Sequence, residues 1–228
     1  MQDIDESTNY ITDYIDYKIK VDDILKIEIF TEDPEATLPF NPNALQLNRN
    51  TTKVSLIYEG YLVDSKGNIN FPTLGIVKVV GLTLNQIRTK IFKELSDGGF
   101  LVNPLVDIKL INSSFTILGE VNLPGRYEFI KNNLNILEAI GIAGDLTING
   151  KRKDVKLIRE DNNGNKNVKS IDLTKAEIMT KDFQVFPGDI IIVNPNPTRI
   201  KNAGIIGNSG TLLSLLSFIL SSIIVIRN

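Results

Sequence analysis

Regular patterning begins at Tyr17–Phe30, YKIKVDDILKIEIF, where apolar and polar positions alternate on either side of Asp22 and Asp23. A period of two with branched apolar residues predicts a strand, a turn and a second strand. Thr31 to Asn50 has three prolines, four asparagines and no sustained period, which predicts a long surface loop. Alternation resumes at Lys53 to Tyr58. In GYLVDSKGNINFP, Gly60 to Pro72, two apolar stretches flank the turn formers Asp64 to Asn68 and predict a hairpin, with GIVKVVG as the next strand.

The period then changes. Thr83 and Gln86 have capping-box spacing, and Leu84, Ile87, Ile91 and Leu95 recur on one helical face ended by Gly98 and Gly99. VDIKLI, Val106 to Ile111, returns to strand and completes a mixed α/β unit over residues 13–111, after an N-terminal segment of residues 1–12. FTILGEV and RYEFI flank a turn at Pro124 and Gly125. Asn135 to Ile142 is a short apolar helix closed by Gly141 and Gly144. DVKLIRE and KNVKSIDL flank NNGN, and FPGDIIIVNP adds a turn and a last strand. Two strand pairs crossed by one short helix predict a β-grasp-like unit over residues 112–197. The whole is α+β. Asn194 to Thr198, NPNPT, reads as a stiff linker.

Residues 198–228 behave differently. From Ala203 to Ile226 there is no charged side chain, with Arg199 and Lys201 before the run and Arg227 after it. About 22 residues from Ile205 onward make a helix of roughly 33 Å, enough to cross a hydrocarbon layer of about 30 Å. At about 100° per residue, Gly207, Gly210, Thr211, Ser214, Ser217, Ser221 and Ser222 fall on one side. Leu212, Leu216, Ile219, Leu220 and Ile223 fall on the other, and Phe218 interrupts the polar side. The small, hydroxylated stripe is a candidate lumen-facing surface and the aliphatic one a candidate lipid-facing surface. Serine bonding to its own helix and small-residue helix packing give the competing account of the same stripe.

Composition removes most catalytic chemistry. The 228 residues include no Cys, His or Trp, so there is no serine triad, no thiol nucleophile and no zinc site of the usual ligands. We expect no catalytic, cofactor or metal site. A net charge of -2 also argues against nucleic acid as a partner. GIIGNSGT from Gly204 lacks the lysine of a phosphate-binding loop. VDDILKI and PGDIIIV repeat one order of turn, aspartate and apolar strand. Asp23 and Asp189 are therefore read as turn caps, bonding a backbone N–H two residues on.

With these segments in place the chain resembles the bacterial polysaccharide export family, the Wza-type outer-membrane exporters. YKIKVDDILKIEIF is similar to the family's opening motif, with Asp22 where the family carries Gly. VDSKGNINFPTLG, with Gly67 and Pro72, resembles the core of the polysaccharide export domain. ILGEVNLPGRYEF (Gly119, Pro124, Gly125), AIGIAGDL and FPGDIIIV (Gly188, Asp189) resemble the SLBB domain that follows it. The resemblance implies a non-enzymatic subunit of an octamer-like homo-oligomeric ring, whose C-terminal helices form a barrel through outer-membrane lipid and whose soluble domains lie in the periplasm. It implies capsular or extracellular polysaccharide as cargo and an inner-membrane polysaccharide co-polymerase with a tyrosine kinase as partner. Family members carry a lipid-bearing Cys. MQDIDES has neither a positive stretch nor an apolar core of a signal, so such a Cys would have to precede Met1. The rival class is a membrane-tethered saccharide-binding or scaffold module that encloses no pore.

Overall fold

A capping box sets the start of the longest helix: Thr83 Oγ1 accepts from Gln86 N at 3.3 Å, and Gln86 Oε1 accepts from Thr83 N at 2.9 Å. Two of the four free N–H groups of α1, Leu84–Asp97, are thereby satisfied. Ile87, Ile91 and Leu95 on its inner face are fully buried, each contributing about 2 kcal/mol. Gly98 caps its end. The structure, a computed structural model, describes residues 14–41, 60–131, 133–161, 164–175, 178, 183–196, 213–214 and 216–219.

Two hydrophobic cores organise the described residues. The first gathers Leu25, Ile27, Ile29, Val106 and Ile108 against α1. Its strands are β1 (Ile24–Phe30), β2 (Tyr61–Leu62), β3 (Asn68–Phe71), β4 (Gly75–Lys78) and β5 (Leu105–Leu110). They form an antiparallel sheet in the order β2-β1-β5 and a separate β3-β4 hairpin. On the sheet face away from α1, like charges stand directly opposite: Lys26 faces Lys109, and Glu28 faces Asp107. Each is offset within its own strand, Lys26 to Glu28 at 3.2 Å and Lys109 to Asp107 at 2.9 Å.

The second core gathers Phe115, Ile117, Ile140, Val155, Leu157 and Ile191. Its strands are β6 (Ser114–Gly119), β7 (Gly125–Glu128), β8 (Leu134–Asn135), β9 (Gly150–Glu160), β10 (Lys166–Ile171), β11 (Gln184–Val185) and β12 (Ile190–Pro195). The main sheet runs β10-β9-β12-β6-β7, with β12 parallel to β6 and all other neighbours antiparallel. Helix α2, Ile136–Ile142, joins the two hairpins and opens on a second capping box, between Asn135 and Glu138.

Several local expectations change. Residues 17–20 are not a strand; Ile19 instead exchanges single backbone bonds with Gly81 and Leu82. The turn at Asp64–Asn68 forms, with Asp64 Oδ1 accepting from Lys66 N and Asn68 N, both at 2.8 Å. Its flanking strands pair elsewhere, β2 with β1 and β3 with β4, so Gly60–Pro72 is not a two-stranded hairpin. The 31–50 loop contains a short 3₁₀ turn, Glu35–Thr37. Its remainder from Pro42, and the strand expected at Lys53–Tyr58, lie outside the described residues. Gly141 lies inside α2 rather than at its end, which Ala143 caps.

Among the described residues no helix is long and apolar enough to cross a membrane. Positions 213, 214 and 216–219 are helical, and Leu216, Phe218 and Ile219 are exposed. Ser217 Oγ donates to Leu213 O at 2.8 Å, the bond expected of a helical serine serving its own backbone. Gly207, Gly210, Thr211, Leu212, Leu220, Ser221, Ser222 and Ile223 lie outside the described residues.

Candidate functional site: the junction of the two units

The two sequence echoes fold into sister turns. In residues 20–23 and 186–189 the fourth residue is a buried aspartate whose carboxylate accepts the backbone N–H of the first: Lys20 N to Asp23 Oδ2 at 2.7 Å, Phe186 N to Asp189 Oδ2 at 2.8 Å. The caps thus reach back three residues, not forward two, because the positive φ at the third position folds the chain over the carboxylate. That φ is +68° at Asp22 and +85° at Gly188. A residue with φ > 0 is the requirement of a type II turn.

The turns differ in how they hold their charge. Arg159, on β9, grips Asp189 with Nε at 2.9 Å and Nη2 at 2.6 Å, and also donates to Gln184 O at 2.6 Å. Asp23 takes a neutral partner, the Tyr17 phenol, at 3.3 Å. Burial raises the Asp23 pKa, against the lowering effect of the Lys20 N–H. Burial, and then the Asp23 charge, push the Tyr17 phenol far above its ordinary range.

Tyr17 also links the two units. Its ring stands edge-on to Phe186, centroids 5.9 Å apart, and the Arg159 guanidinium lies 4.2 Å from the centre of the Phe186 ring. Beside it the buried Gln184 side chain holds the Ile15 backbone at both ends, accepting from Ile15 N at 3.0 Å and donating to Ile15 O at 3.1 Å. Asn112, in the connection between β5 and β6, accepts from Ile24 N and donates to Asp22 O, both at 2.9 Å. A chain of aromatic, ionic and amide contacts therefore crosses from one core to the other.

A cleft of about 330 Å³ opens at this junction, walled by α1, the free edge of β5 and residues 129–131. Its polar lining is mixed in charge, with Asp16 and Asp107 beside Arg88, Lys109 and Lys131. Lys131 is paired with Glu138, whose pKa that contact lowers. Among the described residues no group of three or more acidic side chains is placed to hold a metal ion.

The other predicted turn residues have the following surroundings. Gly67 has φ +79°, and a Cβ there would lie 2.2 Å from the Val80 side chain. Gly119 has φ +88°, and its Cβ would lie 2.2 Å from Val193 O. Pro72 O accepts from Leu74 N at the β3-β4 turn, and Pro124 precedes Gly125, the first residue of β7. Tyr61 packs on Phe71 and is pushed up to about 12 by burial; Tyr127 stacks on Phe115. Tyr14 is exposed, and Tyr10 and Tyr58 lie outside the described residues. Sequence reasoning missed Arg159, Gln184 and Phe186. The only local signal was a charge at Arg159, in a strand with buried alternate positions.

Comparison with known proteins gives two adjacent matches. Residues 13–111 match the family described as polysaccharide biosynthesis/export protein, and residues 113–193 match the SLBB domain. The chain is 26% identical over 149 residues to the EPS I polysaccharide export outer membrane protein EpsA of Ralstonia nicotianae, covering 63% of this chain and 38% of that protein. It is 27% identical over 137 residues to the protein of the same name from Ralstonia solanacearum, covering 58% and 36%. The chain spans well under half the length of these relatives.

Proposed function

Because the chain belongs to the polysaccharide biosynthesis/export protein family, we propose that it is a non-enzymatic subunit of an outer-membrane export assembly for capsular or extracellular polysaccharide. In this reading copies of residues 13–197 associate side by side into a ring, and the uncharged run from Ala203 to Ile226 supplies a membrane-crossing helix from each copy. The observation that carries it is the tandem of matches, residues 13–111 then 113–193. The relatives' names supply the compartment and the cargo of this reading. The division into an export domain, an SLBB domain and a tail follows the same tandem. The second sheet supports a β-grasp-like reading of the SLBB unit: hairpin, helix, hairpin, and a last strand inserted centrally and parallel to the first.

The junction suits such a role. A conduit needs repeated weak contacts, since a tight site would stall a moving polymer, and it needs subunits that hold one shape while it passes. The contacts among Tyr17, Phe186, Arg159 and Asp189 supply the second requirement by fixing one unit against the other. The polymer-facing surface is the small-residue stripe of the tail, Gly207, Gly210, Thr211, Ser214, Ser217 and Ser221, with Leu212, Leu216, Ile219, Leu220 and Ile223 toward lipid. In this reading a lipid-bearing Cys would lie upstream of Met1, the soluble units lie in the periplasm, and an inner-membrane co-polymerase delivers the polymer. The bond from Ser217 to Leu213 O favours one alternative, a tail that only anchors a saccharide-binding module.

Sedimentation of the full-length protein in detergent tests the reading. A species many times the 25.4 kDa protomer is expected. A monomer at all concentrations overturns the ring and leaves the anchored module.

A further inference from the structure

On the ring reading above, on which this inference rests, the unpaired edges of the two sheets are candidate seams between neighbouring copies. Strand β5 is one outer strand of the first sheet and β10 one of the second, each six residues long, against two in β2 and four in β7 at the opposite edges. The bond from Ile111 N to Ile24 O fixes which residues of β5 bond inward to β1. By alternation Val106, Ile108 and Leu110 turn their backbone groups outward. Arg88 Nε, at 3.1 Å, satisfies Val106 O. Among the described residues nothing pairs with the outward groups of Ile108 and Leu110. In β10 the bond from Asp161 N to Asn165 O fixes the same alternation, so Lys166, Val168 and Ser170 face outward, and no described residue pairs with the backbone of Val168. Unpaired edges of this length are templates for a further strand.

We infer that β10 of one copy adds to β5 of the next in antiparallel register, with Ile108 opposite Val168. Three observations favour this register. The open backbone groups of Ile108 and Leu110 then meet those of Val168 and Lys166 as bonded pairs, while Val106 O stays with Arg88. Val168, 62% exposed in the single chain, gains an apolar neighbour. Asp107 comes opposite Lys169, whose ammonium lies 4.2 Å from the centre of the Phe183 ring of its own chain, so the adjacent carboxylates Glu28 and Asp107 gain a cation beside them. Because the two edges are different surfaces of one chain, the contact is head-to-tail, the kind that closes a ring or runs on as a filament.

The chain has no cysteine, so engineered pairs report cleanly. Full-length D107C and K169C, purified in detergent, mixed in equal amounts and oxidised, are expected to form a disulfide-linked dimer that neither forms alone. The double variant D107C/K169C is expected to give a ladder of higher species. D107C/V168C should link at least tenfold less, because a shift of one residue sends the side chain to the opposite face. If sedimentation shows a large oligomer and D107C/K169C does not link, the edge pairing is overturned and the ring stands. Equal linking by D107C/V168C overturns the register. If the unmodified chain is monomeric, the ring reading fails and takes this pairing with it.

Discussion

Arg159 closes on both carboxylate oxygens of Asp189, at 2.9 and 2.6 Å, and the equivalent aspartate of the sister turn, Asp23, has a tyrosine in that place. One turn geometry is thus stabilised in two ways, by an ion pair and by a neutral hydroxyl. The two differ in what they do when the solvent acidifies or a partner is removed.

Asp23 is harder to ionise in the folded chain than in the unfolded one, since burial raises its pKa above 3.8. The folded state therefore binds the extra proton, and this residue's contribution to stability rises as pH falls from neutrality toward 3.8. Glu138 and Asp154 act in the opposite sense, because Lys131 and Lys156 hold their pKa values low. Comparison with D23N cancels those effects. The melting temperature of the native chain minus that of D23N is expected to increase between pH 7 and pH 4.5; a flat or falling difference rejects the assignment.

Removing Arg159 leaves Asp189 buried, 1% exposed, with its charge uncompensated by the cation. R159M is expected to lower stability by about 3 kcal/mol, the low end for breaking a buried pair because the arginine is itself partly exposed. R159M/D189N should recover part of the loss. Denaturant titrations of the three chains measure the difference, and equal stability of R159M and the native chain counts against the pairing.

Asp22 and Gly188 hold the same left-handed position in their turns, at φ +68° and +85°. Glycine is free of the steric penalty there, so D22G is expected to stabilise by about 0.5–1 kcal/mol, raising the melting temperature by about 1–4 °C. Nothing lies within 4 Å of a Cβ at Gly188, so G188A should lose about 1 kcal/mol from backbone strain alone. Opposite shifts of the two variants in calorimetry check the equivalence.

Gly119 carries a harsher constraint. Its φ of +88° disfavours any side chain, and a Cβ would press on Val193 O at 2.2 Å, within the parallel pair of β6 and β12. G119A is expected to cost more than about 4 kcal/mol, beyond the usual range of a single substitution, and to be recovered largely as insoluble protein. Near-native solubility and melting would show that the strands separate without loss.

Much of this was legible because it is local. The Thr83–Gln86 box, the apolar stripe of α1 and the turns at Pro124 and Gly164 are written within a few residues of where they act. The Asn135–Glu138 box has the same spacing logic and is equally local. Other features are carried by distance along the chain. Nothing near Tyr61 says that β2 pairs with β1 rather than β3, and nothing near Ile190 names β6 as its parallel neighbour. The junction was the least legible part, because Tyr17, Gln184 and Arg159 acquire partners only when both cores have formed.

The clasp of Gln184 on Ile15 also decides how the molecule carries a mechanical load. Its two bonds, at 3.0 and 3.1 Å, hold the N–H and the carbonyl of one residue, so a pull along the chain loads them together rather than in sequence. Tension entering through the residues before Tyr14 reaches Gln184 before it reaches β1. Such a load would thus be borne first by the seam between the cores, with the first sheet shielded behind it.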